Sequence, residues 1–255
     1  MPFSHASEAA PDTAPDAVPV ELLEDATSAA DAQEDAPDYR VLRYGVKEFP
    51  IGKLVAEALG VAGRLDRLGS ATAAGERWVR ENDQASAWHR EFYAHFDDIR
   101  PAYLALIYGP VRKFMAEPFY YQAVPTFRVH LPGNVAVGEF HTDGQYGHPV
   151  GELSFWMPLT KAWGSNSVWI EGDPGSDRYA PIVAKPGEIA VFNAVELRHG
   201  NQANTTGRTR VSFDFRCIPT RLLRPTEAKS INTGMRFAPG GYYSESVVGA
   251  GFALA

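Results

Sequence analysis

Cysteine is nearly absent from this chain of 255 residues, and long apolar runs are missing. The lone Cys217 excludes an intramolecular disulfide and a thiolate metal cluster, and its place in an apolar alternation indicates a small buried residue. No stretch approaches the ~18 apolar residues of a membrane span, and no basic segment precedes an apolar run as in a secretory signal. We therefore expect a cytoplasmic protein without a membrane partner.

Lysine and arginine are absent from residues 1–38, which hold ten of the 31 acidic residues. This segment is rich in Ala and Pro and has few large apolar side chains, so it cannot bury enough surface to offset its ordering entropy. We predict an acidic, disordered segment over residues 1–36 and a single domain over 37–255. The chain also lacks a basic stripe and a glycine-rich phosphate loop, which disfavours nucleic acid and leaves a small molecule as the expected partner.

The first half of the predicted domain, about residues 50–118, has helical spacing of its apolar residues. We predict helices at 51–59, from 82 to about 96, and from 101 towards 115, the last disturbed at Gly109-Pro110. His89 and His95 lie on the second of these helices, where neither has a ligand partner at i+4. Both are interpreted as surface or helix-packing residues.

Short β-rich runs separated by Gly, Pro and Asn follow from about residue 120. Eight such runs at this spacing predict a closed or double-sheet antiparallel structure such as a jelly roll, with the helices bracing one outer face. The predicted strands are 121–130, 134–141, 152–160, 166–171, 179–184, 187–193, 197–203 and 209–218.

His141, Asp143 and His199 form the first candidate site. Residues i and i+2 of an extended segment point to the same side, so His141 and Asp143 can reach one ion. His199 follows a strand-like run 58 residues later, where a ligand at the mouth of a barrel is expected. Two imidazoles and one carboxylate are the ligands of a non-haem iron site that keeps open positions.

Arg210 and Ser212 form the second candidate site. They alternate with Val211 and Phe213, which predicts a strand with both polar side chains on one face. If that face looks into the cavity, the guanidinium can bind a carboxylate with two hydrogen bonds while the hydroxyl adds a third. Exposed charge pairs on a solvated strand face are the alternative.

The motifs His141-Thr142-Asp143, His199 and Arg210-Val211-Ser212 resemble the signature of the iron(II)- and 2-oxoglutarate-dependent oxygenases. The resemblance covers roughly residues 120–219. Within this superfamily, the segments around these motifs look most like the streptomycin-biosynthesis type of oxygenase. The resemblance implies a mainly β fold with flanking helices, namely the double-stranded β-helix, which is a jelly-roll or cupin-like structure.

The resemblance also implies that His141, Asp143 and His199 hold iron(II), which 2-oxoglutarate chelates while its far carboxylate binds Arg210 and Ser212. Dioxygen would then oxidise a small polar substrate, with release of succinate and carbon dioxide. Related halogenases lack the carboxylate that Asp143 supplies, so hydroxylation, desaturation or oxidative cyclisation is expected. Secondary metabolism, such as antibiotic biosynthesis, is the expected setting.

Further polar residues near these motifs are weaker candidates. Arg128 could contact 2-oxoglutarate or an anionic substrate, and Asn166 is the residue of its strand best suited to hydrogen-bond the co-substrate. Candidate substrate residues are Gln145, Tyr146, His148 and Trp156.

The tail at 220–255 reads as an irregular extension that could cover the active site or contribute to a homodimer. Two other functional classes stay open. A cupin-fold metal enzyme without 2-oxoglutarate would need three or four histidines, or a His-x-His with a nearby Glu, which the chain lacks. A non-catalytic binding module with the same fold would have no need of all three ligands and Arg210.

Overall fold

The strand Arg210–Pro219 lies at the centre of the structure, and all ten of its residues are buried. A computed structural model describes residues 38–61, 63–71, 85–136 and 139–249, which belong to one compact unit. The predicted disordered segment at 1–36 lies outside these residues. The described strands are, in chain order, β1 (Arg40–Arg43), β2 (Phe119–Tyr121), β3 (Thr126–His130), β4 (Leu153–Pro158), β5 (Val168–Glu171), β6 (Tyr179–Pro181), β7 (Glu188–Phe192), β8 (His199–Asn201) and β9 (Arg210–Pro219).

The described strands form two antiparallel sheets. The larger has the order β1-β7-β4-β9-β2, and β3 pairs with β9 beside β2. The smaller has the order β6-β5-β8. Side chains of both sheets, such as Trp156 and Phe192 from one and Val168 and Ile170 from the other, pack in one apolar cluster. This two-sheet arrangement confirms the predicted double-stranded β-helix.

Five α-helices are described, and most of them precede the main strands. Their bounds are α1 (Ile51–Ala58), α2 (Leu68–Ala71), α3 (Ala87–Ala94), α4 (Phe96–Leu106) and α5 (Arg112–Met115). Among the described residues, no helix combines the length and the apolar character that crossing a membrane requires.

The helix boundaries agree only in part with the predictions. The helix predicted at 51–59 and the disturbance at Gly109-Pro110 are confirmed, since a π-helical turn at Ile107–Val111 separates α4 from α5. The predicted start at Pro101 was wrong, because Phe96 and Ile99 bury the first turn of α4 against the core and Pro101 is accommodated inside the helix. Residues 82–84 of the helix predicted from 82 lie outside the described residues.

Two strand predictions were wrong in detail, and one strand was missed. The run 121–130 is divided between β2 and β3, because Pro125 has no N–H for a ladder. The run 134–141 is no regular strand in its described part: the chain turns at Gly133, Ala136 has a positive φ, and His141 alone forms a bridge. β1 was not predicted, and it pairs with β7.

The two faces of β9 have opposite character. Val211, Phe213, Phe215 and Cys217 belong to the main core with residues of α1, α3 and α4, while the residues between them are polar or charged. The helices therefore brace the outer face of the large sheet, as predicted. The alternation also confirms that Arg210 and Ser212 share the opposite face and that Cys217 is buried.

His89 on α3 is buried in this helix-sheet contact, with its Nδ1 2.6 Å from Ser86 Oγ and its ring edge-on to Phe127. Burial, together with the charge of Arg128, lowers the pKa of His89 to about 4.

We predict that His89 makes the protein less stable as the pH falls from about 6.5 to 4, because the unfolded chain takes up this proton first. As the pH falls over this window, the free energy of unfolding of His89→Phe should decrease by roughly 2 to 3 kcal/mol less than that of the wild type. Urea unfolding of both proteins at pH 7.5, 5.5 and 4.5 measures the difference. An identical pH dependence would contradict the assignment.

Candidate metal centre and its cavity

Backbone pairing brings the two predicted histidine ligands side by side. His141 N–H donates to His199 O at 3.0 Å, and His199 N–H donates to His141 O at 2.9 Å. The ring centroids lie 4.6 Å apart. Asp143 begins a 3-10 turn, and its Oδ1 lies 3.7 Å from His141 Nε2 and 3.5 Å from His199 Nε2. The structure therefore brings the three predicted ligands to one point.

Backbone carbonyls fix which nitrogen each histidine presents. His141 Nδ1 lies 2.8 Å from Glu139 O, and His199 Nδ1 lies 3.1 Å from Leu197 O. A carbonyl oxygen only accepts, so each Nδ1 carries the proton and each Nε2 keeps its lone pair towards Asp143. Burial lowers the pKa of His199 to about 4, although Asp143 opposes this shift. His199 is therefore a neutral ligand near neutral pH.

Arg216 holds the other oxygen of the metal carboxylate. Arg216 Nε and Nη2 lie 2.9 and 2.8 Å from Asp143 Oδ2, which leaves Oδ1 facing the imidazoles. Burial alone would raise the pKa of Asp143, but Arg216 and His199 lower it well below its usual range. Asp143 is thus a carboxylate with one oxygen facing the two imidazoles and the other occupied by an ion pair.

Two more carboxylates surround Arg216. Asp214 Oδ2 lies 2.5 Å from its Nη1, and Glu152 Oε1 lies 3.8 Å from its Nε. Burial disfavours the charge of Arg216, but Asp143 and Asp214 more than offset this and raise its pKa well above the usual range. Glu152 also accepts hydrogen bonds from His148 Nδ1 and from Tyr243 Oη.

Arg210 lines another part of the same cavity, and Ser212 is buried directly beside it. Arg210 is 1% exposed, and its Nη1 donates to Ser212 Oγ at 2.9 Å. Its Nε donates to Asn166 O at 3.1 Å and its Nη2 to Asn201 Oδ1 at 2.8 Å. The Trp156 ring lies under the guanidinium, with 5.7 Å from Cζ to the ring centroid. These contacts fix a buried cation beside a hydroxyl.

The remaining predicted residues take different places. Asn166 does not line the cavity: its side chain bonds Trp163 N and Thr206 Oγ1, and its carbonyl positions Arg210. The predicted contact of the Asn166 side chain with co-substrate gains no support from this geometry. Arg128 lines the cavity, with Nε 3.5 Å from Asp214 Oδ1.

The predicted substrate residues divide between the cavity wall and its support. Tyr146 lines the cavity and packs edge-on against His141 at 5.1 Å, and Trp156 and His148 also line it. Gln145 is exposed outside the cavity, where its Oε1 caps the turn by accepting from Thr142 N. The predicted contact of Gln145 with substrate gains no support from this geometry, because the side chain completes a capping box.

Sequence reasoning missed Arg216, Asp214 and Glu152. Arg216 and Asp214 share the polar alternation of β9 with Arg210, which was a usable signal. The C-terminal extension was expected to cover the active site or to contribute to a homodimer, and its residues 230–233 and Tyr242 line the cavity. Which of its residues do so follows from no regular pattern. The cavity has a volume of about 230 Å³, and among the residues that line it are Thr126, Arg128, Glu139, His141, Asp143, Tyr146, Ser154, Trp156, His199, Asn201, Arg210, Asp214, Arg216, Ser230, Ile231, Asn232, Thr233 and Tyr242.

A larger open groove of about 1100 Å³ lies along α1, with Phe49, Lys53 and Asp66 among its walls. Within the described residues, no group of His, Cys, Asp or Glu that could hold a metal lies there. The smaller cavity is therefore the candidate site.

The donor set fits a divalent metal of the iron type. Two imidazole nitrogens and one carboxylate oxygen lie within 4.8 Å of one another, and their second atoms are tied to Glu139 O, Leu197 O and Arg216. Three ligands on one face leave further coordination positions for exogenous ligands, as in non-haem iron(II) oxygenases.

Known proteins resemble this chain to different degrees. No protein-family model matches the chain. The streptomycin biosynthesis protein StrG of Streptomyces griseus is 38% identical over 205 residues, which are 80% of this chain and 97% of StrG.

Two solved structures are more distantly similar. EctD from S. alaskensis, crystallised with 2-oxoglutarate and 5-hydroxyectoine, shares 20% identity over 79% of this chain and 80% of its own, with a TM-score of 0.47. SnoK, an α-ketoglutarate-dependent carbocyclase from nogalamycin biosynthesis, shares 14% identity over 72% of this chain and 80% of its own, with a TM-score of 0.45. The chemistry of this chain therefore has to be argued from its own residues.

Fold and site together define a double-stranded β-helix protein with a two-histidine, one-carboxylate donor set. Because its sequence is 38% identical to that of StrG, the chain belongs to the family of this streptomycin biosynthesis protein. The predicted likeness to the streptomycin-biosynthesis type is thereby confirmed.

We predict that Arg216→Met weakens the binding of Fe(II) or Ni(II) about 10- to 100-fold, because Asp143 Oδ2 loses the partner that orients the carboxylate. Anaerobic calorimetric titration of the purified proteins measures the affinity. Arg208→Met is the matched control, since its ion pair with Asp66 lies outside the cavity. Equal affinity in Arg216→Met and wild type would refute the positioning role.

The turn at Asp143 depends on a close approach at Gly144. A Cβ added there would lie 2.7 Å from Val195 O, in the segment that leads to His199. We predict that Gly144→Ala displaces Asp143 and lowers metal affinity at least about tenfold in a protein that still folds. Gly172→Ala, where an added Cβ meets nothing, is the control. Wild-type affinity in the Gly144 variant would show that the turn adjusts freely.

Proposed function

We propose that the chain is an iron(II)- and 2-oxoglutarate-dependent oxygenase that oxidises a small polar molecule. The observation that carries this proposal is that two groups of residues occur together at one cavity. It holds a convergent two-histidine, one-carboxylate set and, separately, a buried arginine beside a serine hydroxyl. The first set serves many metal enzymes, whereas the arginine selects a co-substrate with a carboxylate.

In this proposal His141, Asp143 and His199 would hold the metal. Iron(II) with bound 2-oxoglutarate supplies the activation of dioxygen and the oxidation of a substrate C–H bond, with release of succinate and carbon dioxide. The neutral state of His199 and the ionised state of Asp143 make both ready to bind without a proton first having to leave. Arg216 binds Oδ2 of Asp143, so only Oδ1 is left to bind the metal.

Arg210 binds the far carboxylate of the co-substrate in this proposal, and Ser212 adds a hydroxyl donor. Asn166 O and Asn201 Oδ1 already hold the guanidinium, so little side-chain freedom remains to be lost on binding. A buried cation beside a carboxylate forms short, charge-assisted hydrogen bonds. Removing the guanidinium should therefore weaken co-substrate binding directly, and affect the oxidation step only through that loss.

Asp143 also bears on the outcome of the reaction. Its carboxylate fills the position that the related halogenases leave to halide, so the proposed outcomes are hydroxylation, desaturation or oxidative cyclisation. The streptomycin biosynthesis role in the name of StrG supports antibiotic biosynthesis as the setting. A cytoplasmic location and a homodimer stay predictions.

A cupin-type enzyme without 2-oxoglutarate is the less favoured alternative. His148 lies near Asp143 and Glu152 and could form a second donor group with them. However, its Nδ1 bonds Glu152, and Arg216 contacts both carboxylates. A cation placed between two carboxylates disfavours a second metal there.

We predict that wild-type protein binds 2-oxoglutarate anaerobically only with iron(II), and that Arg210→Met weakens this binding by about 100-fold. The charge-assisted hydrogen bonds to the far carboxylate are lost in the variant, while the metal ligands are untouched. Titration followed by the absorption of the iron–oxo-acid complex measures the effect. Arg208→Met serves as control. Binding of 2-oxoglutarate without iron, or an unaltered affinity for 2-oxoglutarate in Arg210→Met, would contradict the proposal.

A further inference from the structure

Two buried hydrogen-bond donors of the cavity wall lack a partner among the described residues. They are Arg128 Nη1 and Trp156 Nε1. A donor that is buried without a partner destabilises the ligand-free protein. Both side chains line the candidate site, and Trp156 is only 3% exposed. A bound molecule with acceptor atoms would satisfy both donors.

The two donors flank Asp214 on the large sheet. Asp214 on β9 lies opposite Trp156 on β4 and opposite Thr126 on β3, whose neighbour on the same face is Arg128. Asp214 Oδ2 is engaged by Arg216, and its Oδ1 lies on the side of Arg128 at 3.5 Å from Nε. The order across the sheet is donor, acceptor, donor.

The charges of this wall oppose an anionic ligand. Asp214 already compensates the charge of Arg128, and an incoming carboxylate or phosphate would meet the Asp214 carboxylate. The two unpaired donors therefore need acceptor oxygens from a ligand that brings no additional negative charge. A hydroxyl group fits, since it both accepts and donates. The facing C-terminal segment adds Ser230, Asn232 and Thr233, which are also uncharged and polar.

We infer that Arg128 Nη1, Asp214 Oδ1 and Trp156 Nε1 form a substrate subsite for a neutral molecule with neighbouring hydroxyl groups. The arginine donates to one hydroxyl oxygen, Asp214 accepts from a hydroxyl, and the indole donates to a further oxygen. Arg128 thereby contacts the substrate and leaves the co-substrate to Arg210. This inference rests on the proposed function, because it names the substrate class of that site.

The test begins with anaerobic protein loaded with iron(II) and 2-oxoglutarate. Failure of this loading counts against the proposed function and is seen before any probe is added. The probes are neutral cyclic polyols (inositols and methyl glycosides), inositol monophosphate as the anion, and cyclohexanol as a ring without neighbouring hydroxyls. Binding is measured by calorimetry and by the change in absorption of the loaded iron.

We expect a neutral polyol to bind better than both inositol monophosphate and cyclohexanol. Arg128→Met and Trp156→Phe should each weaken polyol binding roughly tenfold and leave 2-oxoglutarate binding unchanged. Trp156→Phe keeps an aromatic ring beside Arg210, so it remains informative if Arg128→Met does not fold. Arg208→Met, which removes an Arg–Asp pair outside the cavity, is the control.

Three results would overturn the inference while the proposed function stands. These are loading with no polyol binding, tighter binding of the phosphorylated probe, and loss of 2-oxoglutarate binding in both Arg128→Met and Trp156→Phe. The last result would assign the two donors to the co-substrate.

Discussion

The ion pair between Asp143 and Arg216 is the contact on which the site depends. A buried carboxylate is stable as an anion only beside a compensating charge, and Arg216 supplies it with two nitrogens on one oxygen. The same guanidinium reaches Asp214, and Glu152 connects it to Tyr243 of the C-terminal extension. One cation therefore joins the turn that carries Asp143, the central strand and the C-terminal extension.

The alternation of β9 explains how such a charged group can lie inside a sheet. Its apolar residues face the helices, which bury them in the main core, and its polar residues face the smaller sheet. Arg210, Asp214 and Arg216 are each paired with an oppositely charged or hydrogen-bonding group in this cavity. The core side supplies the stability that offsets the desolvation of the charged side.

The sequence predicts the metal ligands and Arg210 because local spacing decides their directions: i and i+2 share a face of any extended chain. It does not predict what they contact. Arg216 meets Asp143 from 73 residues away, and Tyr243 meets Glu152 from 91 residues away. Such pairs follow from strand order and from an irregular tail, neither of which has a period. The bond of the Asn166 side chain to Thr206, 40 residues away, could not be predicted for the same reason.

In the proposed function, specificity for co-substrate and for substrate has different structural sources in this cavity. The co-substrate end is built on β9 and β8, where Arg210, Ser212 and Asn201 are fixed by backbone pairing and mutual hydrogen bonds. The substrate end draws on β3, β4 and the C-terminal extension, and two of its donors stay unsatisfied until a ligand arrives. Ile231 at this end is 70% exposed, so a bound molecule can also cover apolar surface there. A change of substrate within the family can thus come from these elements while the metal centre and the carboxylate site are retained.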